Sequence, residues 1–241
     1  MNTVKIDDKR SIINGDTTQI LKHFPDESVD LILTDPPYNI SKANNFTSMG
    51  RSGIDFGEWD KGFDQFGWIE DAKRVLKKGG SIVQFNSWKN LGPISDYYDS
   101  IGGLTTKDII RWIKNNPMPR NRDRRYISDY EFAIWCTKDG GKWVFNRQDE
   151  NYERPEFTYP VVNGGANRIH PTQKPVELME DLIKIHSNEN DLVLDPFMGS
   201  GSTGMACMNL NRRFIGIELD EGYFSKSKDR LEYWDDKDNK Q

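Results

Sequence analysis

The chain predicts an α/β fold built on a doubly wound, mostly parallel sheet, and three observations carry that prediction. Its strand candidates are continuous apolar runs, the form that suits strands covered on both faces. Helical patterns separate these runs, as strand–helix alternation requires. Two of the runs end in motifs of the kind that open α/β sheets display at the carboxyl ends of their strands.

The strand candidates are residues 29–33, 81–85, 108–113, 132–136, 192–194 and 214–217. Between the first two, Trp68, Ala72, Val75 and Leu76 share a helical face, and Gly79-Gly80 supplies the stop. Pro175 suits a first helical turn, with Leu178, Leu182 and Ile185 following at helical spacing. Residues 202–211 are small and apolar and predict a helix packed closely beneath a glycine loop, and residues 223–234 read as a final helix. Two stretches resist regular assignment. Residues 39–66, rich in Gly, Asn, Ser and Asp, predict a long mobile loop directly after the first motif. Residues 115–168 mix Pro, Arg, Asn and Gly around short strands, and predict a small recognition insertion inside one domain spanning 1–241.

A chain of 241 residues can bury a sizeable core. Its 12% aromatic content argues against wholesale disorder, while a mean hydropathy of −0.78 implies substantial polar loops. There is no apolar stretch near membrane-spanning length and no basic-then-apolar N-terminus, so no membrane association is expected. Cys136 and Cys207 are too few and too isolated for a disulfide framework or a metal site, and a reducing, cytoplasmic location is the expectation. The net charge of −5 hides a local inversion. Arg111, Lys114, Arg120, Arg122, Arg124 and Arg125 stand against Asp123 alone. Phosphate contacts are local, so this run matters more than the total.

The second motif reads Asp195-Pro196-Phe197-Met198-Gly199-Ser200-Gly201, between a buried strand and a helix. Glycines there let a backbone approach a ligand, and Glu218 ends the next strand 23 positions later, where an acid can accept hydrogen bonds from ribose hydroxyls. Gly204 falls one position late for a dinucleotide fingerprint, so the cradle suits a nucleoside better. The first motif is Asp35-Pro36-Pro37-Tyr38. Its two prolines set a rigid extended turn that lacks N–H donors and leaves carbonyls as acceptors. A carboxylate beside such a carbonyl can take both hydrogens of an exocyclic amino group, and Tyr38 offers a face for stacking a base.

These residues resemble the DNA amino-methyltransferases that use S-adenosylmethionine. The amino-group motif preceding the cofactor motif is the order of their permuted β group. Further similarity lies in His170-Pro171-Thr172-Gln173-Lys174-Pro175, in Asn14-Gly15-Asp16, and in a central segment from Arg111 to Pro119 followed by Arg124, Arg125, Glu131 and Trp135. That central segment is similar to adenine enzymes of the cell-cycle-regulated and HinfI kind. The resemblance implies a Rossmann-like methyltransferase sheet with a small recognition insertion, acting on adenine N6 in a short DNA sequence by base flipping. It implies that Asp35, Pro36, Pro37 and Tyr38 hold the target amine. Asp195, Phe197, Gly199, Ser200 and Gly201 would meet the methionine part of S-adenosylmethionine, Glu218 its ribose and Asp16 its adenine. Thr172 and Lys174 would close over its carboxylate end. Arg120, Arg122, Arg124 and Arg125 would contact DNA, double-stranded or single-stranded. No metal is called for, and relatives often form homodimers. Three other readings stay open: a cytosine-N4 enzyme, a group that usually carries Ser where this chain has Asp35; a non-catalytic DNA-binding subunit of the same fold; and, more distantly, a small-molecule dehydrogenase.

Overall fold

The computed structural model describes residues 2–39, 62–117, 123, 126–148, 150–164 and 168–238. Among these, nine strands form one sheet: β1 (Asn2–Lys5), β2 (Arg10–Asn14), β3 (Val29–Thr34), β4 (Leu76–Asn86), β5 (Leu104–Lys114), β6 (Tyr130–Lys138), β7 (Glu156–Tyr159), β8 (Leu192–Asp195) and β9 (Arg213–Glu218). Their spatial order is β1-β2-β9-β8-β3-β4-β6-β5-β7. The central run from β2 to β4 is parallel, while β6 lies antiparallel between β4 and β5. The helices are α1 (Thr17–Ile20), α2 (Ile69–Val75), α3 (Leu91–Ile101), α4 (Val176–His186), α5 (Ser202–Asn209) and α6 (Glu221–Asp238). None among the described residues is long and apolar enough to cross a membrane.

Double winding is visible in the packing. Leu31, Leu33, Val83, Phe85 and Val193 face a core that also holds Leu182 of α4, Ala206 of α5 and Leu231 of α6. Their neighbours Val29, Ile32, Ile82, Leu192 and Leu194 face the opposite core, with Ala72 of α2 and Ile94 of α3. Each central strand therefore feeds both layers, which is why its sequence is an unbroken apolar run. The chain leaves β3 toward α2 and β4, but leaves β8 toward α5 and β9 on the other side. The strand order reverses between β3 and β8, and a crevice opens at their carboxyl ends. Both sequence motifs begin there.

Two expectations need correction. Gly79-Gly80 do not stop α2: the helix ends at Val75, and Leu76 already pairs with Val29 as the first residue of β4. Gly79 instead lets β4 pass close to the backbone of Gly141 and Lys142, where a Cβ would stand 2.5 Å from a carbonyl oxygen, and Gly80 lies against Leu76 and the Asp30 carbonyl. Pro175 precedes α4 as its N-cap residue in an extended conformation, with ψ of 139°, so it is not part of the first turn. Within 115–168, β6 and β7 belong to the main sheet, which leaves only the connections around them outside it. The expected loop at 39–66 falls largely outside the described residues. Its flanks meet, because Asn39 exchanges two hydrogen bonds with the backbone of Phe63, at 2.6 and 2.9 Å.

Candidate active site

The crevice at the switch point is a cavity of about 760 Å³. Its lining includes Asp35, Pro36, Pro37 and Tyr38 from the turn after β3, and Asp195 to Ser200 from the turn after β8. Asp16, Thr172, Lys174 and Glu218 line it as well, whereas Gly201 sits one position behind the wall, as the left-handed N-cap of α5 (φ 73°). The motifs that the sequence separates by 160 positions, Asp35 and Asp195, thus face one space.

Asp195 joins the two halves. It is 3% exposed, and its carboxylate accepts from Thr34 Oγ1 at 2.9 Å, from Thr203 Oγ1 at 2.6 Å and from the Phe197 N–H at 3.2 Å. Burial pushes its pKa up to about 6, because three neutral donors only partly replace water. The carboxylate is therefore committed to bracing β3, β8 and α5. Phe197 beyond it packs edge-on against Phe63 and Trp68, at ring distances of 5.2 and 5.3 Å. A further staple runs from Thr17 Oγ1 at the start of α1 to the Pro196 carbonyl.

Glu218 ends β9 beside this loop. Its oxygens accept from the backbone N–H of Gly199 at 2.9 Å and of Asp220 at 2.8 Å. Burial still carries its pKa up to about 7. Gly199, with φ of 49°, takes a backbone conformation that favours glycine and turns its N–H toward that carboxylate. Asp16 caps α1 through Thr18, with its Oδ1 2.8 Å from both the N–H and the hydroxyl. His170 is held neutral, its pKa lowered to about 4 first by burial and then by Lys174 and Arg168. Its ring meets Tyr223 at 4.3 Å.

The amino-group motif is braced from behind. Gln65 donates to the Pro37 carbonyl at 2.6 Å and Asn90 to the Tyr38 carbonyl at 3.0 Å, while Asn86 ties Gln65 and Asn90 together at 2.9 and 2.7 Å. The Pro36 carbonyl accepts from none of the described residues, and Pro36 lines the cavity beside Asp35. A carboxylate and a carbonyl without a protein donor are therefore adjacent in the chain at this wall.

The family is settled by sequence. The DNA methylase family of N6 and N4 enzymes matches residues 29–229.

The chain belongs to the N6/N4 DNA methylase family.

It is 34% identical to the type II methyltransferase M.HinfI of Haemophilus influenzae, over 92% of this chain and 68% of that one. It is 33% identical to M2.LlaDCHI of Lactococcus lactis subsp. cremoris, over 91% of this chain and 88% of that one. The crystal structure of an M1.HpyAVI–SAM complex is similar over 92% of this chain and 98% of that one, with a TM-score of 0.74 and 41% identity. This methylase is thus a DNA methyltransferase with the doubly wound fold that its sequence predicts.

Lys174, which the resemblance places with Thr172 at the carboxylate end of the cofactor, lines the cavity, and its ammonium pairs there with Asp35 Oδ2 and stands 3.1 Å from Glu131 Oε2. Thr172, its companion in that assignment, donates to His170 Nδ1 at 3.3 Å through its N–H. Glu131 and Lys114 had no assigned role, and they reach the site because Trp112 and Glu131 are register partners in the β5–β6 pair. The only sequence signal was the position of Glu131 within the central segment. Of the basic run, Arg111 is paired with Glu156 and Lys114 with Glu131 at 2.6 Å. Arg120, Arg122, Arg124 and Arg125 lie outside the described residues. Among the described residues no cluster of His, Cys, Asp or Glu could hold a metal.

Proposed function

We propose that this methylase transfers a methyl group from S-adenosylmethionine to the N6 amino group of adenine in a short DNA sequence, on a base turned out of the duplex. The observation that carries the reading is the acceptor pair at the switch point. Asp35, where N4 enzymes usually carry Ser, lies beside the Pro36 carbonyl and faces the space that Glu218 and the 196–200 loop line.

The residues of that space fit the cofactor. Glu218 presents a carboxylate for the ribose hydroxyls, Asp16 an acceptor beside the adenine, and Phe197 an apolar wall, with Gly199 allowing close backbone approach. When bound, S-adenosylmethionine would supply an electrophilic methyl group from its sulfonium to the amine. Asp35 and the Pro36 carbonyl orient the amine by accepting its two hydrogens, and the Tyr38 ring stacks on the extruded base. Alignment and polarisation of a weakly nucleophilic amine are the work of these groups. Asp195 holds the two turns in register. Arg120, Arg122, Arg124 and Arg125 contact phosphates or base edges of the DNA. Single-stranded DNA, which needs no flipping, is a second form of substrate, and buried, unpaired Cys136 and Cys207 fit a cytoplasmic setting.

Incubating the purified chain with methyl-labelled S-adenosylmethionine and mixed-sequence DNA, then digesting to nucleosides, tests this directly. N6-methyladenine is expected. Label in N4-methylcytosine, or in no nucleoside, overturns the reading.

A further inference from the structure

Each oxygen of Asp35 already accepts a hydrogen bond, Oδ1 from the Tyr38 hydroxyl and Oδ2 from the Lys174 ammonium. An exocyclic amino group is also an N–H donor and needs one of the same oxygens, so it competes with the ammonium for the strongest acceptor position. Lys174 has little choice of where to go. It is 5% exposed and walled by the rings of Phe85, Tyr38 and Trp112, at 5.0, 5.9 and 6.0 Å from the ammonium. Water is not the alternative partner. Glu131 is: its Oε1 is hydrogen-bonded by Lys114 at 2.6 Å, while Oε2, closed off from solvent, stands 3.1 Å from Lys174 without an aligned hydrogen bond. A short swing completes that bond. Buried charges demand such partners at every stage, since leaving one unpaired is costly.

We propose that Lys174 is an exchangeable placeholder for the target amino group: its ammonium holds Asp35 until the base enters, and Glu131 Oε2 is the acceptor to which it then moves. Lys174 and Glu131 are positioning residues. They keep a largely buried carboxylate ionised and then release it, so the amine exchanges one N–H donor for another and never meets a neutral acid. The groups facing Asp35 are Lys174 from the segment before α4, Glu131 from β6, Tyr38 from its own turn and Asp195 at the end of β8. Burial raises the Asp35 pKa first and Glu131 adds to that, while Lys174 and the Tyr38 hydroxyl oppose them.

The placeholder role rests on amino-group transfer as proposed above, and wild-type transfer to adenine measured in parallel separates a failure of that reading from a failure of this one. At saturating S-adenosylmethionine, rates of the full-length Lys174→Met and Glu131→Gln variants are followed across pH. Without Lys174 only the Tyr38 hydroxyl opposes the burial of Asp35. The acid limb of kcat/KM for DNA then moves to higher pH by about one unit or more, while the alkaline plateau stays within about threefold of wild type because no displacement is needed. With Glu131→Gln the Lys114 bond to the side-chain oxygen survives, but the displaced ammonium loses its charged acceptor. The plateau then falls by about tenfold or more, the acid limb does not rise, and the affinity for S-adenosylmethionine alone is unchanged. An unmoved acid limb in Lys174→Met, a plateau lost at every pH, or an unaffected Glu131→Gln plateau overturns the proposal. Circular dichroism on both variants guards the reading of rates. The near-isosteric Glu131→Gln protein keeps the test decisive if Lys174→Met does not fold.

Discussion

Two carboxylates in the cavity illustrate how burial divides labour between chemically identical groups. Asp35 faces a cation, whereas Glu218 accepts from backbone N–H donors alone and is carried up to about 7, first by burial and then by the Asp220 and Asp195 carboxylates. Only the ionised Glu218 is purely an acceptor toward a ribose diol. Cofactor affinity is therefore expected to be flat above about pH 7.5 and to weaken as pH falls toward 6, approaching about tenfold per unit below the transition. Titration calorimetry with S-adenosylmethionine at several pH values reads this out. Glu218→Gln should bind weakly throughout and show no such limb, and a wild-type affinity constant from pH 6 to 8 would exclude the role. Asp35→Ala should behave in the opposite way. Lys174 keeps Glu131 as a partner, so the fold and cofactor binding survive, while methyl transfer is lost because the amine has one acceptor left. Parallel loss of binding and transfer would show that the two motifs do not have separate tasks.

Among elements, β4 shows how a strand can override a helix signal. Val75 and Leu76 continue the apolar spacing of α2, yet the chain turns at Val75 because Leu76 pairs with Val29 and Gly79 passes the backbone of 141–142. Gly79 has φ of 78° and no room for a Cβ. Gly79→Ala is expected to cost about 2–4 kcal/mol, from left-handed strain together with a clash against backbone that cannot retreat. An unchanged urea midpoint would refute it. The same contrast explains which elements were legible in the sequence. The strands β3, β8 and β9 lie inside the sheet and are covered on both faces, so their apolar runs stand out. β1 and β7 are short edge strands with polar, half-exposed residues, and β2 has only two fully buried positions, so none of them carries a comparable pattern. α3, opening with Gly92-Pro93 after Leu91, resembles a turn until Ile94 and Tyr98 are seen facing the core. The two site motifs were legible because each is contiguous. The Lys174–Glu131–Lys114 chain was not, since it exists only through the register of β5 with β6 and the return of the segment before α4.

For the molecule as a whole, the buried titratable groups pull stability in opposite directions. Asp195 and Glu218 have folded pKa values near 6 and 7, above their ordinary 3.8 and 4.5. Between those values the native state binds the extra protons, so they make stability fall as pH rises. His170 and His186 sit near 4 and 3, below the ordinary 6.5, because burial disfavours the imidazolium. There the unfolded chain binds the extra protons, and stability rises with pH. From pH 5 to 6 the two pairs oppose each other and flatten the profile. His186 is the group that can be removed without touching the cavity, since its ring lies between Trp135 and Phe145, at 4.7 and 5.9 Å, and its Nδ1 has no partner. Replacing it with Leu abolishes one of the two histidine contributions and leaves both carboxylates in place. Relative to wild type, His186→Leu should gain about 1 kcal/mol for each unit of pH lowered between 6 and 5, whatever its stability at neutral pH. Urea denaturation of both proteins at pH 5, 6 and 7 measures the difference, and a gap that does not widen toward acid would mean that His186 is protonated in the folded protein.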